Sequence, residues 1–244
     1  KRILLPKINF SPNKDKARFL VKVYNKKSAI EADKAKADVI YYDLMKTDCK
    51  AVKESINNSD FFVFTPKVLS GKKVDKIIDL IKKINPKGVL VSDRGLLKRL
   101  TSMNDSSTVI HADYNLNCFN DIDLMCMPCL PIISPELSLE DIKDIKNKNF
   151  IQLIHGDIIL MTAKEKLKAP ELVDDSNRHF NVRKYPDYIE ILNSNQLGLF
   201  NDALKYLEAG VKYFYIDLSK DVGKFTRIYQ KILSGDKFDD SKIR

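Results

Sequence analysis

The chain has 244 residues, 44% apolar and 31% charged, a balance ordinary for a globular protein and too apolar for a disordered one, and one large domain is expected. No apolar run approaches the roughly 18 residues of a membrane span and no charged-then-apolar leader opens the chain, so no membrane partner and a cytoplasmic location are expected. Net charge is +9 but uneven: residues 1 to 100 hold 24 Lys and Arg against 11 Asp and Glu, and residues 101 to 244 hold 18 against 22.

Residues 1 to 18 mix basic residues, Pro and Asn without periodicity and read as a linker or arm. Because the chain begins at Lys1, it also reads as a piece of a longer protein. A regular march follows. Phe19 to Tyr24 is a short apolar strand, and Ser28 to Lys36 is a helix with Ala29, Ala32 and Ala35 at helical spacing. Val39 to Tyr42 is a strand, Cys49 to Ile56 a helix and Phe61 to Thr65 a strand. Val74 to Ile84 is an amphipathic helix with Val74, Ile77, Ile78 and Ile81 on one face, ended by Pro86. Gly88 to Val91 and Thr108 to His111 are strands, with a short helix over Leu96 to Leu100 between them.

The sixth strand is expected at Leu124 to Cys129. Ser134 or Ser138 caps a helix whose first turn carries Glu136, Glu140 and Asp141, where the helix dipole favours negative charge. Phe150 to Ile154 is a buried strand that delivers His155 to its C-terminal end, with Gly156 letting the backbone pass close to a neighbour. Tyr188 to Leu192 and Tyr213 to Ile216 complete the strands, and Asp202 to Glu208 is a helix closed by Gly210. Apolar strands without alternation, separated by amphipathic helices, indicate a parallel sheet covered on both faces. Eight or nine such units favour an α/β fold of the closed TIM-like β/α barrel type, spanning residues 19 to 244. No Gly-rich phosphate loop follows any strand, which weakens the dinucleotide-binding alternative.

Cys49, Cys118, Cys126 and Cys129 are too few and scattered for a disulfide framework, and Cys126-Met-Pro-Cys129 lacks the second pair that a tetrahedral metal site needs. No Gly-x-Ser-x-Gly elbow and no His-Glu-x-x-His helix is present. In a β/α barrel the chemistry gathers where strands end. Those positions are Asp43, Thr65 with Lys67, Ser92-Asp93-Arg94, His111 with Asp113, Glu136, His155, Asn193-Ser194 and Asp217. His155 has two readings: a general acid or base at the mouth, or a satisfied histidine that pins the loop of Gly156. The basic first half would suit phosphate backbones, which makes RNA a candidate partner. The alternative is solvated helix faces, since Lys72, Lys73, Lys76, Lys82 and Lys83 fall on one helical segment.

Several segments together resemble the collagenase-like peptidase family U-32. They are Ser134-Pro-Glu-Leu-Ser138 before the His155-Gly156 strand with Leu160-Met161-Thr162, and His111-Ala-Asp-Tyr-Asn-Leu-Asn117 to Asn120. The opening strands with Ala37-Asp38, where Lys36 replaces the usual Gly, also belong to the likeness, as do Asn193-Ser194 and Ile216-Asp217. The turn at Leu160-Met161-Thr162 is most similar to the C-terminal repeat of longer members, in which a second barrel follows an N-terminal one. The resemblance implies a barrel, an N-terminal barrel of the same parent chain as partner, and an association with peptidase activity or with hydroxylation of RNA bases or quinone precursors.

Relatives often hold an iron-sulfur cluster on four cysteines, but the corresponding region, Ala163 to Leu192, contains none. No cofactor is therefore expected here, and Asn177 replaces a turn glycine while still tolerating the left-handed conformation. From strand-end position and likeness together, the expected catalytic set is Glu136 and His155 exchanging protons, Asp113 and Asp217 orienting them, and Arg94 holding an anionic group. Asn117, Asn120, Asn193 and Lys67 are the expected substrate-binding residues. The leading functional expectation is a cluster-free barrel that binds substrate or RNA beside a catalytic relative; a peptidase and a purely structural barrel are the alternatives.

Overall fold

Short apolar runs buried on both faces form the first strands: β1 (Arg18–Val23), β2 (Val39–Asp43), β3 (Asp60–Phe64), β4 (Gly88–Val91) and β5 (Val109–Ala112). In this computed structural model, which describes residues 16–103, 107–165 and 167–235, each run pairs parallel with the next. The expected arm lies outside the described residues except for Lys16 to Arg18, and Arg18 already opens β1. Helices α1 (Lys26–Lys34), α2 (Cys49–Ser55), α3 (Gly71–Ile84) and α4 (Arg94–Ser102) make the crossovers. Their starts and stops follow local chemistry. Asn25 and Asp93 accept from backbone N–H groups three residues on, and α3 ends on Asn85 in the left-handed conformation at φ 49°.

The parallel sheet continues through β6 (Leu130–Pro131) and β7 (Ile151–Gly156). Four antiparallel strands follow, β8 (Ile159–Ala163), β9 (Glu171–Val173), β10 (His179–Lys184) and β11 (Ile189–Leu192), forming a separate sheet in the order β8-β11-β10-β9. After the two-residue β12 (Leu197–Gly198), the chain returns to the barrel as β13 (Tyr213–Asp217), which lies between β7 and β1. Around the barrel the parallel order is β7-β13-β1-β2-β3-β4-β5-β6. A parallel bridge between Ile132 and Ile151 joins its two ends, reinforced by the Ile133 N–H donating to the Ile151 carbonyl at 3.0 Å. The result is a TIM-type β/α barrel carrying a four-stranded insert between its seventh strand and the helix that follows.

Alternation along each strand divides the core into two layers. Leu20, Val39, Tyr41, Phe62, Leu90 and Tyr215 fill the barrel interior, whereas Val21, Val23, Ile40, Val63 and Val89 pack outward against the helices. The outer helices include α5 (Asp121–Cys126), α6 (Leu139–Asp144), α7 (Ala203–Glu208) and α8 (Val222–Leu233).

Two expected elements differ. The segment read as a sixth strand, Leu124 to Cys129, begins inside α5. Asn120 accepts from the Ile122 and Asp123 N–H groups, Asp121 and Asp123 favour the first turn, and only Leu124 is buried. The sixth strand is the shorter Leu130–Pro131 beyond it. Tyr188 to Leu192 is a strand, but its partners are β10 and β8 of the insert rather than barrel strands. The helix after β6 starts from Ser138, not Ser134, through a capping box with Asp141.

Candidate ligand-binding site at the barrel mouth

The strand period places Leu20 and Lys22 on the inner side of β1, with Tyr24 just beyond its end, so a lysine stands inside the barrel with 2% of its side chain exposed. A buried ammonium persists only beside a compensating charge. The β1–β13 register sets Lys22 opposite Asp217, itself 1% exposed, and the Lys22 Nζ lies 3.3 Å from the Asp217 Oδ2. The Tyr24 hydroxyl donates to Asp217 Oδ1 at 2.6 Å and the Tyr215 hydroxyl to Oδ2 at 3.4 Å. Burial pushes the Lys22 pKa down, but Asp217, Tyr215, Tyr24 and Asp113 outweigh it and hold the ammonium well above its ordinary value. Burial would raise Asp217, yet Lys22, Arg183 and the Tyr24 hydrogen bond bring it below the usual carboxylate range.

The insert completes the site from above. Arg183 and Glu190 face each other across β10 and β11 and both reach the mouth. Arg183 donates from Nη1 to the Tyr24 hydroxyl at 2.7 Å and to Glu190 Oε2 at 3.3 Å, and from Nη2 to Asp157 Oδ2 at 3.0 Å. Its guanidinium lies 4.0 Å from the centre of the Tyr24 ring, a cation–π contact. Lys67 Nζ sits 3.3 Å from Glu190 Oε1 and 5.0 Å above the Tyr114 ring. Burial raises the Asp157 pKa, although Gln196, donating at 2.8 Å, and Arg183 favour its charged form.

Beside this network opens a cleft of about 520 Å³, lined by Asp157, Arg183, Gln196, Ser219, Asp221 and Phe225 among others. Its volume falls in the range of small-molecule sites. Tyr114, 7% exposed, belongs to the barrel interior, and among the described residues its hydroxyl has no hydrogen-bond partner. The chemistry offered is binding and polarisation. Because its neighbours favour the ammonium, Lys22 is a cation and a hydrogen-bond donor rather than an amine nucleophile.

Of the residues expected from the sequence, Asp217 and Lys67 belong to this cluster. Asp113 is adjacent and buried, but it accepts from the Ser92 hydroxyl and the Tyr114 N–H at 2.7 Å each, fixing a turn. His155 turns away from the mouth. The β7–β13 register slips between Tyr215 and Ile216, leaving Ile154 as an extra residue, so His155 pairs with outward-facing Ile216. It stacks on Phe225 with ring centres 4.3 Å apart and meets the Tyr229 hydroxyl at 3.2 Å. Burial lowers its pKa to about 4.

Glu136 is exposed on the loop after β6, and no hydrogen bond or ion pair joins it to His155, so the expected proton-exchanging pair is not assembled. Arg94 is exposed and donates to the Leu116 carbonyl at 3.0 Å. Asn117 takes a left-handed turn at φ 57°, Asn120 caps α5, and Asn193 accepts from the Ser194 N–H. These contacts are structural. Lys22, Tyr24, Asp157, Arg183 and Glu190 were missed. The available signal was a charge at an inward position of an apolar strand, as in Phe19-Leu-Val-Lys-Val23 and Tyr188-Ile-Glu-Ile-Leu192.

The cysteines do not fit the cluster that the resemblance implies for relatives. Cys49 opens α2, whereas Cys118, Cys126 and Cys129 lie around α5, and burial raises the Cys49 and Cys118 thiols to about 12. Among the described residues, no three His, Cys, Asp or Glu side chains are grouped to hold a metal ion. Among them, too, no helix is long and apolar enough to cross a membrane.

No family model matches the chain, and no curated protein does. Solved structures do match. The spore cortex-lytic enzyme SleL of Bacillus cereus superposes with TM-score 0.51 at 8% identity, covering 93% of this chain and 76% of that one. Thiamine phosphate pyrophosphorylase from Pyrococcus furiosus gives 0.50 at 11% identity, covering 89% and 96%. A family GH18 chitinase from Cycas revoluta, in complex with allosamidin, gives 0.51 at 9% identity, covering 90% and 99%. At such identities the likeness establishes the barrel fold and nothing about the reaction.

Proposed function

We propose that this chain is a substrate-binding barrel domain that takes a small polar molecule at its C-terminal mouth. In this reading it is the cluster-free accessory barrel of a longer U-32-type protein, partnered by an N-terminal barrel of the same parent chain. One observation carries the reading. The Arg183 side chain, 15% exposed, lines the cleft and at the same time contacts Asp157, Tyr24 and Glu190, so a ligand beside it in the cleft would touch the end of a buried ionic network. Buried, mutually paired charges are costly to assemble and contribute little net stability, which favours a role in recognition.

The peptidase alternative asks for an activated nucleophile or metal-bound water. Lys22 is held protonated, Ser92 donates to Asp113 with no histidine between them, and His155 lies outside the mouth. RNA binding is a second reading, favoured by the exposure of Lys72, Lys73, Lys76, Lys82 and Lys83 on α3.

Thermal-shift and calorimetric titration with ribonucleosides and, separately, a mixed peptide library test the proposal. The expected result is a rise in melting temperature with nucleosides that disappears in Arg183→Ala and Asp157→Asn. Unchanged binding in Arg183→Ala, or peptide cleavage, would overturn it.

A further inference from the structure

Glu190 is held differently from the other buried carboxylate of the mouth. Both carboxylates have a lysine at 3.3 Å, but Asp217 also receives the Tyr24 hydroxyl at 2.6 Å, whereas the other donors to Glu190, Arg183 at 3.3 Å and the Tyr185 hydroxyl at 3.5 Å, stand farther off. Charge-assisted hydrogen bonds normally close to roughly 2.7–2.9 Å. Three donors therefore converge on an anion that none of them grips tightly, in a place where Glu190 is 1% exposed.

A second, independent feature lies beneath it. Among the described residues the buried Tyr114 hydroxyl has no hydrogen-bond partner, and the Lys67 Nζ that pairs with Glu190 lies 5.0 Å above its ring. Buried hydroxyls are rarely left without a hydrogen bond, and this one belongs to the residue on which Lys67 rests.

Glu190 arrives on the insert, not on the barrel. Among the described contacts, the insert is tied down by Arg183 to Tyr24 and Asp157, by the Lys67 N–H donating to the Tyr188 hydroxyl at 3.3 Å, and by the exposed pair Lys73–Asp187. The ion pair of Lys67 is with the insert.

We propose that Lys67, Arg183 and the Tyr114 hydroxyl form an oxyanion site and that Glu190 is its internal occupant. The substrate of the mouth would then carry a carboxylate or phosphate group that displaces Glu190. This deepens the mouth-binding reading and rests on it. It also gives the insert a regulatory part, since the barrel holds its own competitor until a stronger anion enters.

Chemical rescue tests it. Glu190→Ala removes a CH2–carboxylate group equivalent to acetate, so acetate and inorganic phosphate are titrated into the wild type, Glu190→Ala and the double variant Glu190→Ala/Lys67→Met. The expected result is an oxyanion-dependent rise in melting temperature in Glu190→Ala, at least tenfold tighter than in the wild type and lost in the double variant. Response to acetate alone assigns a carboxylate, and response to phosphate a phosphoryl group.

If Glu190→Ala does not fold, Glu190→Gln and hydrogen exchange in the wild type decide. Saturating oxyanion should speed exchange of the β10 and β11 amides as Glu190 is displaced. No oxyanion effect in any of these proteins, or rescue that persists without Lys67, overturns the oxyanion site. Nucleoside binding retained in the face of that result would leave the broader mouth reading standing, so the two failures are separable.

Discussion

Lys22 and Asp217 meet 3.3 Å apart inside the barrel, each with no more than 2% of its side chain exposed, joined by the register of the first and last barrel strands. Removing one partner strands a buried charge, so Lys22→Met should destabilise the protein by about 3–5 kcal/mol. Pairing it with Asp217→Leu should recover a large part of that loss. Urea denaturation of the two singles and the double measures the coupling, and additive losses would count against the pair.

The same pair predicts opposite ends of the pH profile. The Asp217 pKa is lowered on folding, so its contribution is present above the unfolded value of about 3.9 and is lost as pH falls through the folded value. Lys22 is raised, so its contribution is present below about 10.4 and is lost only as pH climbs through the higher folded value.

Between these ends the histidines dominate. His155 and His111 are buried and both lowered to about 4, His155 by burial and His111 by burial with a small part from Arg18. Folding therefore favours their neutral forms. Stability should decline as pH falls from about 6.5 towards 4, by up to about 3 kcal/mol for each. His155→Phe keeps the stack on Phe225 and cannot take up a proton; its acid-side decline, followed by circular dichroism, should be about half as deep. Ligand binding at the mouth should be unchanged in this variant.

Backbone sites give a third test. Lys36 follows α1 at φ 57°, a conformation that costs a residue with a Cβ roughly 1–2 kcal/mol. Lys36→Gly should raise stability by about 1 kcal/mol. Gly156→Ala should do the reverse by more than about 1 kcal/mol, because φ is 151° and a Cβ there would overlap the Asp217 carbonyl oxygen. Its chemical-denaturation midpoint should fall, and mouth binding with it.

The α3 lysines give the fourth. If this face binds RNA, the slope of log affinity against log salt should shrink by roughly one unit for each of Lys76, Lys82 and Lys83 replaced by Ala. A slope near zero in the unaltered chain would remove the RNA reading and leave the mouth untouched.

Much of this architecture could be read along the chain. The apolar runs of β1 to β5 and the helical spacing of Val74, Ile77, Ile78 and Ile81 were legible, because strand and helix periods depend on neighbours a few residues apart. Gly156 was legible as a close approach, and Asn177 as a left-handed turn residue at φ 58°. Leu124 to Cys129 was misread because a short apolar run has no decisive period, and the Asn120 cap decided for helix.

By itself the sequence determined that strands and helices alternate, where most of them begin and end, and that charged residues stand at strand tips. Only the tertiary structure decided which of those charges meet. Tyr24 and Asp217 are 193 positions apart, and Arg183 reaches them through an antiparallel insert. A one-residue bulge turned His155 from the mouth to the outer layer, since each step along a strand reverses the face a side chain presents. Local patterns carry no record of such a slip, because pairing register is set by contacts between segments far apart in the chain.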